Sequence, residues 1–143
     1  MKKTEYSELF GPVAHDPAYT YRAHFVSAYD GDTVTLNIDL GFNIVRHNER
    51  IRLFGIDTPE IRGPERKEGV MVRDFVSDVL NVAESLFITT QKDRSGKYGR
   101  MLGVLWPQMP KWHHLHKEFD GRSLNQILLD VDMAKPYFGG KRE

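Results

Sequence analysis

The chain has 143 residues, enough for one compact domain with a buried core, and no cysteine, which excludes disulfide scaffolds, zinc knuckles and thiol nucleophiles. Twenty Lys and Arg cancel twenty Asp and Glu, so net charge cannot hold the chain on nucleic acid; any phosphate it handles must be met by a few locally placed cations. No run of about 18 apolar residues is present and no apolar segment follows Lys2 and Lys3, so neither a membrane-spanning helix nor a secretory leader is expected. The chain as written therefore reads as a cytoplasmic monomer, or an extracytoplasmic one if a leader has been removed.

In chain order, residues 1–18 lack periodicity and contain Gly11, Pro12 and Pro17, the pattern of a loose leader. Aromatic and β-branched residues over 19–29 predict a strand, and Asp30-Gly31 a turn. Residues 33–40 then alternate with period two: Val34, Leu36, Ile38 and Leu40 on one face, Thr33, Thr35, Asn37 and Asp39 on the other. After a turn at 40–43, residues 44–55 predict a third strand, Ile51 and Leu53 facing opposite Arg50 and Arg52, which completes an antiparallel meander. A polar loop over 57–69 leads into an amphipathic helix over 70–83, marked by Val72, Phe75, Val76, Val79, Leu80 and Ala83. Strands are predicted at 85–91 and 99–106, on either side of a polar turn at 93–96. Residues 107–122 are irregular, with Trp112, His113, His114 and His116; histidines in a loop without cysteine carry little metal-site signal. Trp106 and Trp112 are expected to cover barrel surface. Ser123 and Gln126 form a capping box for a second helix whose buried stripe is Leu124, Ile127, Leu128 and Val131, and residues 138–143 form a frayed tail. Five short strands with a helix between the third and fourth and another after the fifth predict a mainly β, α+β fold: an OB-type barrel over 19–137.

Four pieces carry chemistry: Asp30-Gly31-Asp32-Thr33, the run from Arg52 to Glu60, Lys97-Tyr98-Gly99-Arg100, and Leu124-Asn125. Asp32 opens the second strand and Asp57 follows the third, so antiparallel pairing can bring them together. Two carboxylates with a backbone carbonyl make an all-oxygen half-shell for a hard divalent cation. Pro59 fixes its own φ and biases Thr58 towards extended geometry, which aims the loop consistently. Glu60 is a carboxylate that can orient or deprotonate a water. Arg52 and Arg100, if they converge on one cleft, can bind a phosphate bidentately and stabilise charge developing on it. Each piece alone is ordinary: an Asp-Gly-Asp turn is usually only a turn, and Lys-Tyr-Gly-Arg a solvated one.

The ordered conjunction is not ordinary. Asp-Gly-Asp-Thr-Val, Arg-Leu-x-Gly-Ile-Asp-Thr-Pro-Glu, Lys-Tyr-Gly-Arg and Leu-Asn together resemble the staphylococcal nuclease family of thermonucleases, over about residues 19–137. The resemblance implies a five-stranded OB barrel with three helices and a Ca²⁺-dependent endo- and exonuclease that cleaves DNA and RNA to 3′-phosphate products. It implies metal ligation by Asp32, Asp57 and the Thr58 carbonyl, with Asp30 as an outer carboxylate. It implies Glu60 as general base, Arg52 and Arg100 as a phosphate clamp, and Lys97 and Tyr98 on the substrate's other phosphate. None of the expected identities is missing. Three departures stand out: a shorter loop at 61–68, an apparent insertion at 107–122, and an end at Glu143 where the family often continues into a third helix. Tyr137 or Phe138 is expected to supply a second aromatic platform. The rival readings are a non-catalytic OB module for single strands, which needs no carboxylate cluster, and a calcium-stabilised interaction domain, which needs no paired arginines.

Overall fold

The computed structural model describes residues 19–91 and 101–138. Its elements are β1 (Thr20–Asp30), β2 (Thr33–Asp39), β3 (Val45–Leu53), β4 (Ile56–Asp57), a 3-10 turn (Gly63–Glu65), α1 (Arg66–Val82), β5 (Ser85–Gln91), β6 (Met101–Gln108), α2 (Leu124–Asp130) and β7 (Lys135–Pro136). The barrel closes in the order β1-β2-β3-β6-β5, and β4 pairs with β7 as a separate ribbon. β1, β2 and β3 form the expected antiparallel meander, β5 pairs antiparallel with β1 and β6, and the seam is the short parallel pairing of Ile51–Leu53 with Met101–Gly103. This is the predicted mainly β OB-type barrel with its helix inserted between the third and fourth barrel strands. Among the described residues no helix is long and apolar enough to cross a membrane.

The period-two pattern of β2 sends Val34, Leu36 and Ile38 into the barrel, where they meet Ile51, Leu53, Ile88 and Leu105. Apolar residues at helical spacing on α1 (Val72, Val76, Val79, Leu80) seal one end of that core, as Leu124, Ile127 and Leu128 of α2 do elsewhere. Ser123 caps α2 as predicted, its hydroxyl accepting the Gln126 N–H at 3.0 Å.

Several expectations need correction. Leu40 lies past the end of β2 and is exposed, whereas Thr33 is buried because it adjoins the covered turn into β2. β3 ends at Leu53, since Gly55 with φ 80° turns the chain into β4. α1 begins at Arg66, earlier than its apolar stripe, because Pro64 sets up a 3-10 turn that runs straight into it. β6 runs through Pro107, paired with Leu86, to Gln108. Proline is tolerated there because β3 pairs only with the start of β6, leaving this stretch without a strand on its other side. Trp106 is buried rather than superficial, its indole N–H donating to Thr89 Oγ1 at 3.1 Å, whereas Trp112 is 78% exposed. Val131 is the exposed C-cap of α2, not part of its buried stripe.

Asn125 staples α2 to the barrel. It is fully buried; its Oδ1 accepts from Leu105 N–H at 3.1 Å, and its Nδ2 donates to the carbonyls of Phe54 at 2.9 Å and Gly103 at 3.2 Å. Asn125→Leu keeps the size but takes the partner from the Leu105 N–H and from the Phe54 carbonyl, while the Gly103 carbonyl keeps the Phe54 N–H at 2.8 Å. Urea unfolding is expected to show a loss of about 3 kcal/mol, on the scale of 1–3 kcal/mol per buried group left unsatisfied. A loss below about 1 kcal/mol would mean that water or rearrangement replaces the staple.

Candidate functional site

The Asp30-Gly31 turn between β1 and β2 presents the first carboxyls. Asp30 Oδ1 accepts the Asp32 N–H at 3.1 Å, an Asx turn that fixes the start of β2. Asp32 is buried, and its backbone carbonyl takes the Leu53 N–H at 2.8 Å, which locks the turn to the end of β3. Its Oδ2 accepts the Thr58 N–H at 3.0 Å, so the loop after β4 is tied to the same carboxyl. Arg52, opposite Thr33 in the β2–β3 register, reaches back with Nη1 2.8 Å from Asp32 Oδ1 and Nη2 3.7 Å from Asp57 Oδ1. Nη2 also donates to the Ile56 carbonyl at 3.2 Å. One guanidinium therefore joins the start of β2, the end of β3 and β4.

The electrostatics follow from this crowding. Burial works against ionisation of Asp32, but the charge of Arg52, with hydrogen bonds from Thr58 and Arg52, holds its carboxyl below the ordinary carboxylate range. Burial first, then the neighbouring Asp32, push Asp30 up to about 7. Burial likewise opposes the charge on Arg52, and the Asp32 carboxylate outweighs it, so the guanidinium is held charged more firmly than usual.

The β4–β7 ribbon, which sequence reasoning missed, brings the C-terminal segment to this cluster. Ile56 pairs with Pro136 and Asp57 with Lys135, and the Tyr137 N–H donates to the Gly55 carbonyl at 2.9 Å. Arg52 Cζ then lies 5.4 Å from the Tyr137 ring centroid, whereas Phe138 packs edge-on against Phe54 with centroids 5.9 Å apart. Of the two candidate aromatics, Tyr137 is the one beside the site. A two-residue ribbon leaves no periodicity to read.

Glu60 stands exposed on the loop beyond Asp57 and Thr58. Its N–H donates to Glu65 Oε2 at 2.9 Å, a contact that no motif announced. Gly69 of α1 lies under the same loop: a Cβ there would collide with the backbone carbonyl of Glu60, so glycine lets the loop rest directly on the helix. The structure thus joins Asp30, Asp32, Arg52, Asp57 and Thr58 in one contact set and pins the backbone of Glu60 beside it. Lys97, Tyr98 and Arg100 lie outside the described residues.

The donor set suits a hard divalent cation. Asp32 and Asp57 both reach the Arg52 guanidinium, and with the Thr58 carbonyl they offer oxygen donors of the kind such a cation takes. Among the described residues no three His, Cys, Asp or Glu side chains are grouped so as to hold a metal ion by themselves, the histidines of the 107–122 segment included, where His113 and His114 stack with centroids 4.4 Å apart. Any ion held here would have an incomplete protein shell, with positions left for water and phosphate oxygens.

Comparison with known proteins fits this geometry. A family model described as staphylococcal nuclease homologue matches residues 50–142, more than half of the chain. No curated protein matches the chain.

Proposed function

We propose that this chain, which belongs to the staphylococcal nuclease family, is a calcium-dependent phosphodiesterase that hydrolyses DNA and RNA to 3′-phosphate products, with residues 19–137 as its catalytic domain. The observation that supports the reading is the contact set of Asp32, Arg52 and Asp57, two carboxylates of the kind that could ligate a cation beside a guanidinium of the kind that could bind phosphate. Asp32, Asp57 and the Thr58 carbonyl would hold the ion, which when bound supplies positive charge at the scissile phosphate. Glu60, on its pinned loop, orients the attacking water and takes its proton. A guanidinium has five N–H donors, so the contacts of Arg52 at Nη1 and Nη2 fix its plane and still leave donors for phosphate oxygens. Arg52 and Arg100 stabilise the charge that develops as the 5′-oxygen leaves, and Lys97 and Tyr98 hold the substrate's other phosphate. Asp30 supports Asp32 from outside.

One observation favours the rival, a non-catalytic OB module for single strands: among the described residues no three His, Cys, Asp or Glu side chains are grouped to hold a metal ion. The two separate cleanly with supercoiled plasmid. The enzyme nicks and linearises it with Ca²⁺ and stops when a chelator is added; a binding module leaves it intact in both conditions and retards a single-stranded oligonucleotide instead.

The ion itself is a further prediction. A shell of two carboxylates and a carbonyl, completed by water and phosphate, suits the loose coordination of Ca²⁺ better than the strict octahedron of Mg²⁺. Turnover with Mg²⁺ is expected at least about tenfold below that with Ca²⁺ at saturating ion, the loss expected when reacting groups sit away from productive geometry. Equal turnover with the two would overturn the choice of calcium.

A further inference from the structure

We infer that Tyr29 and Arg50 form a second nucleotide-binding step next to the Arg52 clamp, taking the base and phosphate of an adjoining nucleotide in a single-stranded substrate. The inference rests on the nuclease reading of the site.

Tyr29 owes its position to a β-bulge. Ala28 pairs with Val34 and Asp30 with Thr33, so Tyr29 is the extra residue between them, with no partner on β2. Bulges beside functional sites re-aim a side chain, and here the ring is left 46% exposed immediately before the Asp30 turn. Arg50 comes to it from β3, with Cζ 4.9 Å from the ring centroid. Ile51, between the two arginines, points into the core, so Arg50 and Arg52 share the outward face of β3. Their Cα atoms lie about 6.8 Å apart, two strand residues, a spacing on the scale of one nucleotide in an extended strand. Arg52 lies against Tyr137 and Arg50 against Tyr29, so the face carries two arginine–tyrosine pairs in a row.

Charge separates Arg50 from its neighbours. Among the described residues Arg46 and Arg52, the other arginines of β3, each have a carboxylate within ion-pair distance and Arg50 has none; Arg22 on Phe87 also has none, but it lies on β1, away from the Arg52 face. Across β2 it faces Thr35, as Arg52 faces Thr33, so no acid stands opposite either arginine on that strand. An exposed guanidinium held on an aromatic ring, with no internal counter-charge, combines the two elements that bind single strands without sequence preference: a cation for the backbone and a π surface for the base. In a chain of zero net charge, such local cations are the means available for holding phosphate.

The test uses the full chain with Ca²⁺, comparing a single-stranded octanucleotide with a dinucleotide that has one phosphodiester. For Arg50→Ala and Tyr29→Leu, kcat/KM on the octanucleotide is expected to fall about tenfold further than on the dinucleotide, mainly through KM, the scale of losing one stacked base or one phosphate contact. Binding of a fluorescent octanucleotide, followed by anisotropy against salt, should have a slope shallower by about one contact in Arg50→Ala and restored in Arg50→Lys. Equal losses on both substrates, or an unchanged salt slope in folded protein, would overturn the inference. If the parent binds the octanucleotide but does not cleave it, the nuclease reading fails and the anisotropy arm decides the subsite alone. If the parent neither binds nor cleaves, both fall.

Discussion

Glu60→Gln is expected to lower kcat by about 10²- to 10⁴-fold, the range for losing a general base, with Ca²⁺ and oligonucleotide affinity largely preserved. The substitution changes one oxygen to an amide nitrogen and removes the charge that accepts a proton. It leaves intact two backbone contacts that place the loop, the Glu60 N–H on Glu65 and the Glu60 carbonyl over Gly69. Because Glu60 is exposed, the melting temperature should hardly move. Single-turnover cleavage with saturating Ca²⁺ reads the chemical step directly. A rate within a few-fold of the parent would remove Glu60 from the base position and direct attention to a water positioned by other carboxylates.

Arg52→Lys is expected to lower kcat by roughly 10²-fold or more, the scale of losing one oriented donor to a developing oxyanion, while KM changes less. Lysine keeps the positive charge, so a phosphate is still attracted, but it lacks the planar fork that holds two oxygens at once. The same fork has a structural duty, spanning Asp32 at 2.8 Å, the Ile56 carbonyl at 3.2 Å and Asp57 at 3.7 Å. An ammonium cannot span all three, so stability should also fall, by about 1–3 kcal/mol for buried groups left poorly satisfied. Arg52→Ala is the poorer choice, because it leaves the Asp32 carboxylate buried without its cation. Kinetics measured well below the melting temperature of Arg52→Lys separate the two effects. Cleavage at the parent rate by folded protein would make Arg52 a structural ion-pair partner and nothing more.

How much of this was legible in the sequence differs from element to element. Alternation over Val34, Leu36 and Ile38 gives β2 a buried and a wet face, because a strand places successive side chains on opposite sides. Spacing on α1 and the Ser123–Gln126 cap worked for the same reason: the geometry is local and repeats. The family was legible too: the ordered motifs pointed to it, and the family match over residues 50–142 agrees. Boundaries were less so. Pro107 suggested a strand end, yet its missing N–H costs nothing where β6 has no further strand beside it.

Contacts between distant segments, by contrast, came from the folded chain alone. That Arg52 spans Asp32 and Asp57, that Tyr137 rather than Phe138 reaches it, and that Asn125 binds the barrel's backbone all depend on residues far apart in the chain. The pairing of Tyr29 with Arg50 depends on a one-residue bulge, and a bulge shifts register without leaving a mark in hydrophobic periodicity. The barrel, its two principal helices and the inventory of acids and arginines could be read from the residues, because burial period and residue chemistry are properties of single segments. Which acid meets which arginine, and which aromatic stands beside each, was set by strand register and by the β4–β7 ribbon, because those contacts exist only once the barrel has closed.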